Sequence, residues 1–530
     1  MKNMLTKAKQ VLGRVPVFLL LVPLFFIYSG YNELFGFLSF SFIIKNTAFI
    51  LAGVIAVYAL GYFLLKQQDK AAVFSVFISV SVLGFGFLHD SLKKVTANSI
   101  ITSFTIVIPV LLALYILCVI LLKKYSAGLK ELFFFLNMLF LVLILSEIPN
   151  SIKRYRLDKS VHNLIDFRFD AATAYNPKTT VADSLKPDIY FILFDAMASS
   201  KSMLPLTGKS VTDLDNFLQQ KGFYIVSDAA SNYNFTLHSV STTFNMEYLP
   251  SWIAPVMSDP KTYFWGGNSI KDNSLFRILS KEGYSIKSYQ PISFDNPDWP
   301  ADPYFLNLKT HHFFFKTLPG RIYRDIFWNY SKINMDIVKK YQFSLLRKRQ
   351  TEKKRLLDTT AYLVRKSCSA TASPKFVYAH FMIPHDPYVF DSTGHLLPVE
   401  QTIVQSDSHA LSIYYGQYRY ASSLVQSLVN YIQEHNKKNT VIIVAGDHGC
   451  KIENQQTLPY RFNNYSAFYF PDRSYTMLYK NISPVNSFRV LLNKYFHANY
   501  SLLADSSIVV TGKKESIKKG VKIAPGNKTD

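Results

Sequence analysis

Residues 187–197, PDIYFILFDAM, and residues 441–449, VIIVAGDHG, are two unbroken apolar runs. The first ends on Asp195, the second on Asp447 followed at once by His448. An apolar run of about 4 to 8 residues closed by turn signals reads as a strand buried on both faces. Runs of similar character recur at 222–226 (GFYIV), 284–289 (YSIKSY), 375–383 (KFVYAHFMI) and 466–470 (SAFYF), with helical stretches between them. Strands alternating with helices predict a large α/β domain with a mostly parallel sheet. In such sheets ligands collect at the carboxyl ends of the strands, so both acidic termini are expected to point into one crevice.

Upstream the chain changes character. Residues 15–31, 47–65, 71–88, 100–122 and 132–148 are long apolar runs with few charges. Each approaches the roughly 17 to 25 residues that a helix needs to cross a bilayer core. The first has no small-residue cleavage site and is read as an uncleaved span. With the N-terminus inside, the inner segments carry nine Lys and Arg and the outer loops only Lys45, Lys93 and Lys94. That asymmetry predicts about five transmembrane helices and an extracytoplasmic remainder, periplasmic or extracellular. The expected organisation is a transmembrane helical domain at 1–148, a juxtamembrane connector at 149–186, a catalytic domain at 187–515 and a basic tail at 516–530.

The formal charge of +22 divides as +7 over residues 1–150 and +15 over the rest. A domain outside the membrane does not meet nucleic acid, so an anionic membrane surface is the expected partner. Residues 303–355 are rich first in aromatics and then in cations, and read either as a helix with a solvated charged face or as a surface resting on lipid headgroups. Cys118, Cys368 and Cys450 are too scattered to imply a disulfide framework or a Cys-x-x-Cys metal site.

Between the two decisive runs lies SNYNFTLHSVSTTFNMEYL (231–249), in which Thr236 follows a loop and opens a helical stretch. Two carboxylates, an imidazole and a hydroxyl make a set that suits a divalent cation such as Zn²⁺ or Mn²⁺. A cation there would make the Thr236 hydroxyl a nucleophile. Thr236 taken alone is more often a helix cap. The stretch YAHFMIPHDPYVF (378–390) adds His380, which alone reads as readily as a packed core histidine, and His385 between two prolines. Arg461 follows the Asp-His pair as a candidate oxyanion clamp or a surface cation, while His311 and His312 match no motif.

These residues in this order resemble the sulfatase-like branch of the alkaline phosphatase superfamily, and within it the membrane-tethered lipoteichoic acid synthase and phosphoethanolamine transferase type. The tail RFNNYSAFYFPD (461–472) with ISPVNSFRVLLNKYF (482–496) is similar to the closing part of that catalytic domain. The resemblance implies an alkaline-phosphatase-like fold and a metal held by Asp195, Thr236, Asp447 and His448. It further implies Thr236 as nucleophile, His385 as a catalytic and substrate-side histidine, and His380 and Arg461 as substrate contacts. No Cys/Ser-x-Pro-x-Arg stretch exists, which disfavours sulfate ester hydrolysis through a modified Cys or Ser.

The expected activity is transfer of a phospho-headgroup from a membrane phospholipid donor to a glycan, polymer or lipid acceptor through a phospho-Thr enzyme. Outside the membrane no ATP is at hand, so the donor must already be an ester. The rivals are a membrane-anchored phosphoester or sulfuric ester hydrolase using the same site, and a non-enzymatic envelope scaffold.

Overall fold

A computed structural model describes residues 11–33, 40–96, 100–168, 170–175, 177, 181–249, 266, 269–270, 272–289, 313–323, 336–369, 373–436, 438–452, 459–510 and 522–523. The chain divides into a helical unit, Met1–Asn163 with Leu306–Lys339, and a sheet unit, Leu164–Phe305 with Lys340–Asp530. His311, His312 and most of the basic tail lie outside the described residues.

Every apolar run in the first 150 residues is helical: α1 (Phe18–Glu33), α2 (Phe40–Leu65), α3 (Gln68–Leu83) with α4 (Phe85–Val95), α5 (Phe104–Lys124) and α6 (Lys130–Arg168). Among the described residues three helices are long and apolar enough to cross a membrane, four if the pair α3 and α4, bent by 62°, is one broken span. The run expected as a single third span is therefore two helices meeting at Gly84, and the first run is the shorter apolar helix Phe18–Asn32. Helix α6 does not stop at Ile148 but continues through Pro149 to Arg168, into the stretch expected as a polar connector.

Apolar packing gives little directionality between helices in lipid, so buried polar groups carry the specific contacts. The buried Asn137 of α6 accepts from Phe18 N and donates to the carbonyls of Leu12 and Val15, tying down the start of α1. At the other end of α1, Glu147 accepts from Asn32 and Ser29, and Ser151 donates to Asn32.

Residues 313–323 pack in the helical unit although they lie far downstream. Phe313 is buried with Ile27 and lies so near Gly30 that a Cβ there would sit 2.2 Å from its ring. Lys316 O accepts from Gly86 N at 2.8 Å. Arg321 is paired with Asp90 and donates to Phe315 O at 2.7 Å. The aromatic and cationic halves of 303–355 thus part company. The cations fall mostly on one long helix, α11 (Asp336–Ser367), which exposes Arg347, Lys348 and Arg355.

The second unit is a six-stranded sheet in the order β2 (Tyr224–Ile225), β6 (Ser466–Tyr469), β5 (Thr440–Gly446), β1 (Asp188–Phe194), β4 (Lys375–Phe381), β3 (Ser285–Tyr289). The four strands from β5 to β3 are parallel, and β6 and β2 add an antiparallel edge. All seven residues of β1, β4 and β5 are buried, as their unbroken apolar sequences require. Alternation splits β1 between two cores. Tyr190, Ile192 and Phe194 pack with Leu424 and Leu428 of α12 (Asp407–His435) and with Leu357 and Val364 of α11. Ile189, Phe191 and Leu193 pack with Phe244 of α9 (Thr236–Asn245), Ile278 of α10 (Ser274–Lys281) and Phe488 of α13 (Pro484–Phe496).

At the amino ends of β1 and β4, Asp188 and Lys375, each 1% exposed, form an ion pair of 3.2 Å. Asp188 Oδ1 also accepts from Lys375 N, and Oδ2 from Asn436. Removing one partner leaves a buried charge unmatched, which costs about 3 to 5 kcal/mol. Asp188→Ala should therefore lower the thermal midpoint of the sheet unit markedly, whereas Lys354→Ala, on an exposed pair with Asp358, should leave it almost unchanged. Equal midpoints for both variants in a thermal unfolding series would contradict this placement of the pair.

Candidate active site

Three adjacent parallel strands deliver the site. Phe194 at the end of β1 pairs with Gly446 at the end of β5, so the next residues, Asp195 and Asp447, emerge side by side. On the other flank β4 places His380 opposite Leu193. Two glycines of VAGDHG are needed for the loops that close over this edge. A Cβ at Gly446 would lie 2.3 Å from Met197 O, and one at Gly449 would lie 2.0 Å from Tyr460 O.

Asp195 and Asp447 are 0% and 2% exposed. The backbone turns sharply after Asp195, with Ala196 in the left-handed region at φ +61°. Tyr414 holds that turn, its hydroxyl donating to Ala196 O and accepting from Ala198 N. Asp447 Oδ1 accepts from the N–H of Ala196 and of His448, each at 2.9 Å. Asp447 Oδ2 and Asp195 Oδ1 are buried with no hydrogen-bond donor.

His448 Nδ1 lies 2.7 Å from Gly449 O and so carries its proton there, which leaves Nε2 as a lone pair turned to the carboxylates. Burial pushes the imidazole down to about 4, even though Asp447 and Asp195 favour its charged form. It is neutral near pH 7. Burial opposes the charge on Asp195, yet His385, His380 and His448 together hold its carboxyl well below the usual range.

Thr236 is the first residue of α9, and the cap position is Phe235, which supplies no side-chain hydrogen bond. Instead of capping, the buried Thr236 hydroxyl donates to Asp195 Oδ2 at 3.3 Å and lies 3.3 Å from His448 Nε2. Ser239, one turn on, is already engaged with Asp447 O at 2.6 Å.

The remaining candidates fall at different depths. His380 is 2% exposed. Its Nδ1 accepts from the Tyr378 hydroxyl at 3.0 Å, a phenol that burial keeps protonated. Its Nε2 then donates to Asp195 Oδ2 at 3.3 Å. His380 thus stands behind Asp195, away from any solvent-facing wall on which a substrate contact was expected. His385 is nearer the surface, with its side chain 20% exposed and Nε2 3.9 Å from Asp195 Oδ1. Arg461 ends a single 3₁₀ turn, Pro459–Arg461. Its carbonyl accepts from Gly449 N, and its Nε is buried with no acceptor.

Tyr378, Tyr414 and Gln417 were not singled out in the sequence. Tyr414 and Gln417 bond to backbone far along the chain, which local pattern does not reveal, and Tyr378 acts through His380 two residues on. His238 was missed as well. It is a buried imidazole beside Tyr233 and Phe235 with both nitrogens unpartnered, pushed down to about 3 by burial and by Lys451.

Asp195, Asp447 and His448 each offer a ligand atom within 4.8 Å of the others. Two buried carboxylate oxygens without donors, a neutral imidazole lone pair and an adjacent hydroxyl fit a divalent cation and little else. The three cysteines are free and take no part.

The sulfatase family matches residues 187–486, more than half of the chain and the whole of this site. The chain belongs to that family and is an enzyme of that kind. No curated protein matches it. Solved structures similar to it include the C-terminal periplasmic domain of EcEptC from Escherichia coli, at 10% identity, 64% of this chain, 94% of that chain and TM-score 0.38. The periplasmic domain of the phosphoethanolamine transferase EptC from Campylobacter jejuni matches at 11% identity, 60% and 92% coverage and TM-score 0.34. The integral membrane lipooligosaccharide phosphoethanolamine transferase A (EptA) of Neisseria meningitidis matches at 13% identity, 92% and 95% coverage and TM-score 0.35.

Purified protein should carry about one divalent ion per chain in this site. Asp447→Asn and His448→Ala should each lose most of it by elemental analysis. Unchanged metal in both would place the ion elsewhere.

Proposed function

We propose that the chain is a metal-dependent phosphotransferase in which Thr236 attacks a lipid-linked phosphodiester. The observation that carries this reading is the Thr236 hydroxyl itself: buried, free of any capping role, and 3.3 Å from both Asp195 Oδ2 and His448 Nε2. Asp195, Thr236, Asp447 and His448 would hold the cation, Zn²⁺ or Mn²⁺. Bound there, it supplies positive charge that lowers the pKa of the hydroxyl and offsets charge on the phosphoryl oxygens.

The chain's own groups divide the remaining work. Asp195 is held as a carboxylate and His448 as a neutral imidazole with a bare Nε2, so both orient the Thr236 hydroxyl, whose proton passes to solvent as Oγ becomes the attacking alkoxide. Thr236 Oγ forms a bond to phosphorus while the ester bond to diacylglycerol breaks, leaving phospho-Thr236. His385, at the solvent-facing edge, is the group placed to give the departing alkoxide a proton and to contact the phosphoryl oxygens. The amino end of α9 beneath Thr236 favours the anion. His380 and Tyr378 fix the Asp195 carboxylate from behind, and Arg461 clamps a phosphoryl oxygen. A hydroxyl of a glycan, polymer or lipid acceptor then takes the phospho-headgroup from Thr236.

The donor is a membrane phospholipid, because the apolar helices anchor the enzyme where that ester is abundant. With the short helix α1 and the bent pair α3–α4 each crossing once, the nine-to-three basic asymmetry supports a catalytic unit outside the cytoplasm, in the periplasm or on the cell surface. The exposed cations of α11 suit contact with an anionic lipid surface.

Phosphatidylglycerol and phosphatidylethanolamine labelled in the acyl chains supply the test. Thr236→Ala should retain metal and fold but reduce diacylglycerol release by roughly 10³-fold or more, and Thr236→Ser should keep part of it. Robust release by the Ala variant would replace this mechanism with direct attack by water.

A further inference from the structure

His385 is the most exposed of the site imidazoles, and its ring is held weakly. Its Nδ1 reaches only its neighbour Asp386, at the carbonyl (2.6 Å) and at Oδ1 (3.2 Å), and Nε2 stands 3.9 Å from Asp195 Oδ1. The position of the ring is therefore inherited from the backbone of residues 383–390. That backbone is pinned on both sides. His385 N donates to Asp195 O at 3.0 Å. The His385 carbonyl receives two donors from two different helices: Lys353 Nζ of α11 at 2.7 Å and Gln417 Nε2 of α12 at 2.8 Å. Lys353 also donates to Pro387 O at 2.8 Å, and Gln417 to Pro384 O at 3.0 Å. Gln417 Oε1 accepts from Val389 N at 2.9 Å.

Lys353 is 7% exposed and Gln417 fully buried. Burying an ammonium is costly unless strong acceptors meet it, and here the acceptors are the two carbonyls that bracket Asp386. A cation spent on loop backbone makes sense where the loop must be held to a fraction of an ångström. We infer that Lys353, with Gln417, is a positioning residue for the transfer reaction: it clamps the 383–390 loop so that the His385 imidazole meets the substrate. This rests on the phosphotransfer reading above. Lys353 touches no substrate itself and acts only through His385.

The test uses the full chain, with diacylglycerol release from labelled phosphatidylglycerol and amide hydrogen exchange over residues 381–390 as independent readouts. Lys353→Met keeps the aliphatic stem and removes the donors, Lys353→Arg restores them, and Gln417→Met removes the other half of the clamp should the first variant fold poorly. Lys353→Met should speed exchange in that segment alone, keep bound metal and lower kcat/KM by about 10- to 100-fold. Lys353→Arg should recover most of the loss. In the background of His385→Ala, Lys353→Met should cost nothing further. Unchanged exchange in the Met variants would overturn the clamp, and a full additional loss on top of His385→Ala would overturn its action through His385. If wild-type protein released no diacylglycerol from any phospholipid while exchange still responded, the donor reading would fail and the clamp would stand.

Discussion

Two carboxylates placed side by side in a fully buried crevice are the constraint on which the site depends. Asp195 and Asp447 emerge from adjacent parallel strands, each with one oxygen tied into the protein and the other left without a donor. Like charges so close and so dry cannot both persist without a compensating cation. Among the described residues no lysine or arginine pairs with either carboxylate, and His448 is driven neutral by burial. The need for a divalent ion therefore follows from sheet register and burial before any likeness to other proteins is considered.

The same register determines which hydroxyl lies beside the carboxylates. Helix α9 begins where its first hydroxyl meets the carboxylate and imidazole, and no cap competes for that hydroxyl. His380 and Tyr378 extend the network inward and His385 extends it toward solvent. One histidine thus serves the carboxylate and another stands nearer solvent, although the two are only five positions apart.

The strands, and the acidic ends of β1 and β5, were legible because a doubly covered strand must be apolar at every position. The period alone then places the residue after it at a sheet edge. Thr236 was legible as the residue opening a helix, though its side-chain partners, 41 and 212 positions away, were not. Depth was the main thing hidden. His380 and His385 look alike in sequence, and only packing shows that one is sealed behind Asp195. Long-range docking was equally hidden. Phe313 fits against Gly30, and Arg321 pairs with Asp90, through complementarity that no local pattern records. The bend at Gly84 and the passage of α6 through Pro149 departed from the expected spans because neighbouring packing, rather than hydropathy, sets where a helix turns or ends.

A covalent phospho-enzyme is the most direct consequence of the proposed mechanism. Metal-loaded protein incubated with phospholipid donor and no acceptor, quenched and digested, should yield the peptide spanning Ser231 to Tyr248 with one phospho-headgroup on Thr236, visible by mass spectrometry. The label should disappear when acceptor is added. A burst of diacylglycerol release with that peptide unmodified, or with the group on another residue, would contradict the assignment of Thr236 as the attacking group.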